Sequence, residues 1–169
     1  MTDADLRNAY FGHKDVLHRF ARRMTGSDDV AEDVVQDCFL ALSRRPAAYD
    51  PTRGALRAFL LGIARNLILK RWRDEHPQES LDHHILITPP IDLVSIERAE
   101  AVARAVQSLP PLQREALILA EYEGLSLEEI AHATDAEIAA VKSRLHRARE
   151  NLRRMLAPLL ERRGYSYGT

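Results

Sequence analysis

Apolar residues recur at three- and four-residue spacing along most of the chain, the signature of helices that bury one face. Val16, Leu17, Phe20, Ala21 and Met24 form a first stripe that ends near Thr25-Gly26. Ser27 or Asp28 can cap the next helix, in which Val30, Val34, Cys38, Ala41 and Leu42 repeat. Pro46 to Gly54 (PAAYDPTRG) is a loop by composition. A third helix is predicted from Ala55 to about Arg73, with Phe59, Leu60, Ile63, Ala64, Leu67 and Ile68 as its apolar face. From His76 to Leu93 the period disappears and Pro77, Pro89 and Pro90 intervene, which marks a linker; Ile85-Leu86-Ile87 inside it is expected to dock. Periodicity restarts at Leu93 with Ile96, Ala99, Val102, Ala103, Val106 and Leu109. Pro110 and Pro111 break that stripe and open another helix (Leu112, Ala116, Leu117, Leu119), for which Gly124 is a C-cap. Ser126-Leu127-Glu128-Glu129 has the form of a capping box. A last helix runs to about Leu156, where Pro158 bends or ends it and leaves a loose tail. The pattern predicts an all-α chain of two small helical domains, 1–75 and 93–160, joined by a flexible linker over 76–92 and followed by a tail over 161–169.

Charge is segregated along this pattern, although the formal net charge is only −1. Ser27 to Asp37 holds five acids and no base, Arg53 to Arg73 six bases and no acid, and Asp74 to Asp92 five acids and no base. In the second half, Ser126 to Glu137 has four acids and no Lys or Arg, whereas Ile138 to Ala157 has six bases against Glu150 alone. Alternating acidic and basic blocks point to more than one kind of partner. A short helix, a turn and then a basic helix is how a helix-turn-helix reads in sequence: the first helix holds the second, and the second enters the DNA major groove. A cationic helix face gains affinity there by releasing condensed counterions.

At 169 residues, with 46% hydrophobic and 29% charged residues, the chain has the composition of a folded soluble protein. The single cysteine, Cys38, excludes an intramolecular disulfide framework and, among Val34, Val35, Phe39 and Leu42, reads as a buried, inert thiol. No apolar run of membrane-spanning length and no signal-peptide core occur, so a cytoplasmic protein without membrane insertion is expected. The seven histidines lack metal-ligand spacing; His83-His84 point apart on any regular element. There is no phosphate loop, nucleophile elbow or paired acid, so neither a metal, a cofactor nor an enzyme is expected.

Three segments in order, AEDVVQDCFLAL (Ala31 to Leu42), RAFLLGIARNLILKRWR (Arg57 to Arg73), and LPPLQREALIL followed by GLSLEEIA and VKSRLHRARENL, give the chain its resemblance to a bacterial sigma factor of the extracytoplasmic-function class. Such proteins carry only region 2, which handles the promoter −10 element, and region 4, which handles the −35 element. The resemblance spans roughly Val16 to Leu156 and implies a transcription initiation factor that binds core RNA polymerase and promoter DNA.

The resemblance also assigns tasks to residues. The acidic second helix looks like the surface that docks the clamp of the largest polymerase subunit, with Glu32, Asp33, Gln36 and Asp37 as contacts; the second domain would meet the flap of the second subunit. From spacing alone the same acids are a solvated face or an answer to the helix dipole. The loop and third helix look like the −10 unit. Tyr49, Asp50, Thr52 and Arg53 suit a trap for flipped bases, Asn66 a base-edge reader, and Arg65, Lys70, Arg71 and Arg73 phosphate contacts. Trp72 is either a stacking residue or a core anchor, and Phe59 is expected in the core. For −35 reading, Lys142, Ser143, Arg144, His146, Arg147 and Arg149 are the candidates. Ser143, His146 and Arg147 share a face, with Val141, Leu145, Ala148 and Leu152 on the core side.

The chain departs from the family pattern at the turn. Asp135 stands where a glycine is usual and Ala139-Ala140 where Gly-Thr or similar is usual, and Lys70 stands where an acid or amide is common. Either Asp135 takes the left-handed conformation, or Thr134 and Glu137 form a capping box and the recognition helix starts earlier. The family also implies an acidic linker that threads the polymerase RNA exit path, and an anti-sigma factor that covers the binding faces. Two other readings compete: a stand-alone helix-turn-helix regulator, which leaves the basic third helix unexplained, and a sigma mimic that titrates an anti-sigma protein.

Overall fold

In the computed structural model of the chain, residues 1–82 and 96–166 are described, with side chains described to residue 159. All regular structure among them is helical. Helix α1 spans Asp3–Thr25, earlier than its apolar stripe suggests, because Thr2 closes a capping box: its hydroxyl accepts from the Asp5 N–H (3.1 Å) and the Asp5 carboxylate accepts from the Thr2 N–H (2.9 Å). These bonds hold the Asp5 carboxyl below its ordinary value, the backbone bond to Thr2 contributing most. The helix stops at Gly26, whose φ of 74° lets the chain turn sharply while its N–H bonds to the Arg22 carbonyl. Ser27 caps α2 (Asp28–Arg44) by accepting from the Val30 N–H at 3.2 Å. Two 3₁₀ turns, Pro46–Ala48 and Pro51–Arg53, carry the chain to α3 (Leu56–Glu75).

These three helices bury Leu17, Phe20, Met24, Val34, Cys38, Leu42, Leu60, Leu61 and Ile68 between them. Burial pushes the Cys38 thiol up to about 12, in keeping with an inert core residue. Phe59 is only partly buried, lying at the rim where it packs against Tyr49. Trp72 is not a core anchor: it is half exposed and stacks on His76, with ring centroids 4.7 Å apart.

The second half begins with α4 (Arg98–Ser108) and continues in α5 (Pro111–Leu117), opened by its two prolines. A π-helical turn at Ile118–Tyr122 ends that helix. Then come α6 (Leu127–Ala133) and the long α7 (Ile138–Ser166). Helix α7 passes through Pro158 instead of stopping near Leu156. Met155 is buried, and Leu156 and Leu159 pack against the core on either side of the proline, which holds the helix across the lost hydrogen bond. The expected docking of Ile85-Leu86-Ile87 and the orientation of His83-His84 lie outside the described residues.

The two halves are seated against each other: α1 touches α4 and α5, and α3 packs on α6. Gly62 makes this possible, since a Cβ there would come within 3.0 Å of the Ala133 carbonyl oxygen at the end of α6. One apolar core is continuous through both halves.

Candidate nucleic-acid interface

The helix-turn-helix is built by local bonds. Ser126 and Glu129 close the capping box of α6 in both directions, at 3.1 and 3.0 Å. Thr134 is buried and donates its hydroxyl back to the Ile130 carbonyl (2.7 Å), so it ends α6 rather than starting α7. Asp135 takes φ 50°, which makes the turn in the manner of the usual glycine, and the Ala136 N–H returns to the Ala131 carbonyl (2.9 Å). Of the two turn geometries open from sequence, the left-handed Asp135 is the one adopted.

Val141, Leu145 and Ala148 anchor α7 in the core, with Leu152 packed beside them. The opposite side presents Lys142 and His146 to solvent, with Ser143 and Arg147 half-buried. Arg147 lies 3.7 Å from Asp82. Arg149, exposed, is held by Glu121, its Nε 3.1 Å from the carboxylate. Arg144 differs from the rest: its Nε is buried without a hydrogen-bond acceptor, and its charge acts on the buried Glu115. That sets it apart from the exposed Lys142 and His146, with its Nε turned toward the interior.

In the loop between α2 and α3, the Asp50 carboxylate accepts from both the N–H (2.9 Å) and the hydroxyl (2.7 Å) of Thr52, which shapes the second 3₁₀ turn. The bond to the Thr52 hydroxyl, then that to its N–H, holds the Asp50 carboxyl below its ordinary value. Tyr49 donates its hydroxyl to the Gly54 carbonyl (3.1 Å). Tyr49, Asp50 and Gly54, with Arg53 and Phe59, line a cavity of about 360 Å³ whose far wall is Glu128, Glu129 and His132 of α6.

Along α3, Asn66, Lys70 and Arg73 are exposed, and Arg71 stands 3.6 Å from Asp33 of α2. Arg65 is not at the surface with them. It makes a two-pronged pair with Glu115, Nε to Oε2 at 2.7 Å and Nη2 to Oε1 at 3.0 Å, with its side chain only 14% exposed. Burial raises the Glu115 carboxyl pKa, against the opposing pull of Arg65 and Arg144. Arg57 donates to both the carbonyl and the carboxylate of Glu123, at 2.8 and 2.7 Å. Glu32, Asp33, Gln36 and Asp37 lie together on the exposed side of α2.

Glu115, Glu123, Arg57 and Arg114 are participants that sequence reasoning missed. The available signal was a carboxylate set inside an apolar helical stripe, as Glu115 is between Arg114 and Ala116-Leu117, since a buried charge requires a partner. Among the described residues no group of three or more His, Cys, Asp or Glu side chains is placed to hold a metal ion, and no helix is long and apolar enough to cross a membrane.

A three-helix body with a basic third helix, followed by a helix-turn-helix, is the architecture of two-module sigma factors, and the comparisons agree. The family model for sigma-70 region 2 matches residues 10–77, and that for sigma-70 region 4 matches residues 99–152. The sigma factor SigE of Mycolicibacterium smegmatis is 35% identical over 86% of this chain, which spans 59% of that relative's length. SigW of Bacillus subtilis is 29% identical over 92% of this chain and 89% of its own length. SigM of Mycobacterium tuberculosis H37Rv is 34% identical over 87% of this chain and 74% of its own. In structure the chain is similar to the sigma factor RpoE of Bartonella quintana, crystallised with the anti-sigma factor NepR, at TM-score 0.71 and 25% identity, covering 90% of this chain and 97% of that one. The chain belongs to the extracytoplasmic-function RNA polymerase sigma factors of the sigma-70 family. Members of this family are transcription initiation factors, not enzymes in themselves.

Proposed function

We propose that the chain acts in the cytoplasm, where it binds core RNA polymerase and carries it to promoters that it reads at two places. The acidic face of α2 (Glu32, Asp33, Gln36, Asp37) meets the basic clamp of the largest subunit, and the second module meets the flap of the second subunit. Tyr49, Asp50, Thr52 and Arg53 form the mouth of a trap for flipped bases. Asn66, Lys70, Arg71 and Arg73 follow the strand beside it, joined by Arg65 once it is released from Glu115. Lys142, Ser143, His146 and Arg147 read the −35 major groove, with Arg149 on the backbone. The observation that carries this reading is the pairing of a cavity-bearing loop on one basic helix with a capped helix-turn-helix on another. Control by an anti-sigma factor is supported by the Bartonella relative, which was crystallised with one.

The test is multi-promoter run-off transcription with purified core polymerase, with and without this chain. Specific transcripts that appear only with the chain are the expected result, and their start sites would supply the −10 and −35 sequences. Absence of both transcripts and core binding would sink the reading in favour of a mimic or a stand-alone regulator. Native pull-down from cells is expected to recover a small partner besides polymerase, and its repeated absence during inactive growth would remove the anti-sigma proposal.

A further inference from the structure

Three large apolar side chains of α1 and α2 stand in solvent: Phe11, 63% exposed, Leu40, 50%, and Tyr10, 38%. Tyr10 meets Phe11 edge to face, with ring centroids 5.3 Å apart, and also meets Phe39 of α2 at 5.1 Å. Lys14, one turn along α1, holds its Nζ 5.9 Å from the centres of both the Tyr10 and the Phe11 rings, within the range at which a ring face attracts an ammonium. Tyr10 also lines a groove of about 290 Å³ between the two helices, together with Lys14 and Asp15 of α1 and Glu32, Val35 and Gln36 of α2. Glu32 and Gln36 belong to the acidic side of α2, and Leu40 follows Gln36 and Asp37 by one turn on that side. Acids, groove and aromatic pair form one continuous surface.

A lone apolar side chain on a surface needs no explanation, but an aromatic cluster rimmed by charge does. The fold does not require Phe11, because Ala9, Leu17, Phe20, Ala21 and Met24 supply the buried side of α1. Aromatic residues enclosed by a charged rim are the composition of a protein-binding face. The acids of α2 draw in a basic partner and speed the encounter, but solvated charges are screened by salt and hold weakly. An aromatic ring that becomes covered on binding is the kind of contact that carries affinity. Tyr10, already packed on Phe39, and Lys14 steady the Phe11 ring, which lowers the cost of ordering it.

We propose that Phe11 and Tyr10 are the apolar anchor of the polymerase-docking face, with the acids of α2 as its charged rim. The surface that fits is one that sets an apolar side chain beside lysines or arginines. The apolar side chain covers Phe11 and reaches the groove at Tyr10, while the bases meet Glu32, Asp33 and Asp37. Core polymerase is the occupant because two of the residues proposed to dock it, Glu32 and Gln36, also line the groove, so this step rests on the function proposed above.

The test is equilibrium binding of the full chain to purified core polymerase at ionic strengths of about 0.1 and about 0.5 M. Phe11→Ala should weaken binding by about tenfold or more at both, since covered apolar area is not screened by salt. Phe11→Leu, which keeps most of the apolar area, should lose about threefold or less. Both variants should keep the wild-type urea midpoint, because the side chain lies in solvent before binding. Wild-type chain that binds core no better than Phe11→Ala would overturn the anchor and leave the sigma reading standing, even if a small partner recovered from cells were lost. A loss seen only at low salt would also overturn it, as the mark of an electrostatic effect. So would a loss accompanied by a lower urea midpoint, since Phe11 would then be a brace for α1. No core binding by the wild-type chain would remove both the anchor and the sigma reading.

Discussion

On α3, Arg57 and Arg65 turn onto Glu123 and Glu115, whereas on α7 Lys142 and His146 stand in solvent. In sequence the two helices look alike: each carries an apolar stripe beside several bases, Arg57, Arg65, Lys70, Arg71 and Arg73 on one and Lys142, Arg144, Arg147 and Arg149 on the other. Their difference arises from carboxylates 50 and 66 residues away in the chain. A basic helix is therefore not in itself a free DNA-binding surface. What it offers a polyanion is its charge minus whatever internal acids already hold, and on α3 part of that charge is held.

The largest expected effect tests that contrast directly. Glu115→Ala removes a buried carboxylate from beneath Arg65 and Arg144, leaving uncompensated charge in the interior. It should cost about 3–5 kcal/mol, read as a fall in the urea midpoint. Arg147→Ala, which breaks only a 3.7 Å contact between partly exposed groups, should change stability by less than about 1 kcal/mol. Equal losses from the two would erase the distinction between the helices.

Next in size is the effect on function. Lys142→Glu with Arg147→Glu reverses two charges on the side of α7 proposed to read the −35 groove. At about 1–3 kcal/mol for each lost base contact, −35-dependent transcription should fall by about a hundredfold or more, while thermal stability stays near wild type. A doubly substituted chain that still binds its partner and keeps its biological effect in cells would favour the mimic, which needs its partner but not the groove.

The contrast also shows what could be read from sequence. The helix order, the Ser27 and Ser126 caps, the loop at Pro46 to Gly54 and the core side of α7 were all legible, because each is written in residues close together. Phe59 and Trp72 were harder: large aromatics suggest a core, but here one sits at a rim and the other stacks on His76, four residues along. The capture of Arg65 was not legible, because periodicity places a side chain on a face without saying what the rest of the chain brings to it. The same reason hid Gly62, whose role appears only once the end of α6 lies against it. The run of α7 through Pro158 depended likewise on packing by Met155, Leu156 and Leu159, which outweighs a local rule.

A smaller effect concerns the turn that positions α7. Asp135 holds φ 50°, where an L residue pays a steric penalty that glycine avoids. Asp135→Gly should therefore stabilise the protein by up to about 1 kcal/mol, raising the melting temperature by about 2–4 °C. A loss of stability would mean that the Asp135 side chain holds the turn by contacts worth more than the backbone strain, and the substitution of the usual glycine would then be a gain for this chain.

The smallest stability effect separates the acidic helix from the basic one beside it. Asp33 of α2 approaches Arg71 of α3 at 3.6 Å, with the side chains 62% and 40% exposed. Such a pair is solvated on both sides and screened by salt, so Asp33→Asn should shift stability by less than about 0.5 kcal/mol. The same change removes one of the three negative charges that share the exposed side of α2 with Gln36. If that side docks on a basic polymerase surface, core binding should weaken several-fold, and the loss should shrink as salt is raised. Asp33 then matters to a partner and hardly at all to the fold, the reverse of Glu115. A stability loss of 1 kcal/mol or more with core binding intact would invert that assignment: Asp33 would be a brace for α3, and the polymerase contact would have to be sought elsewhere on the chain.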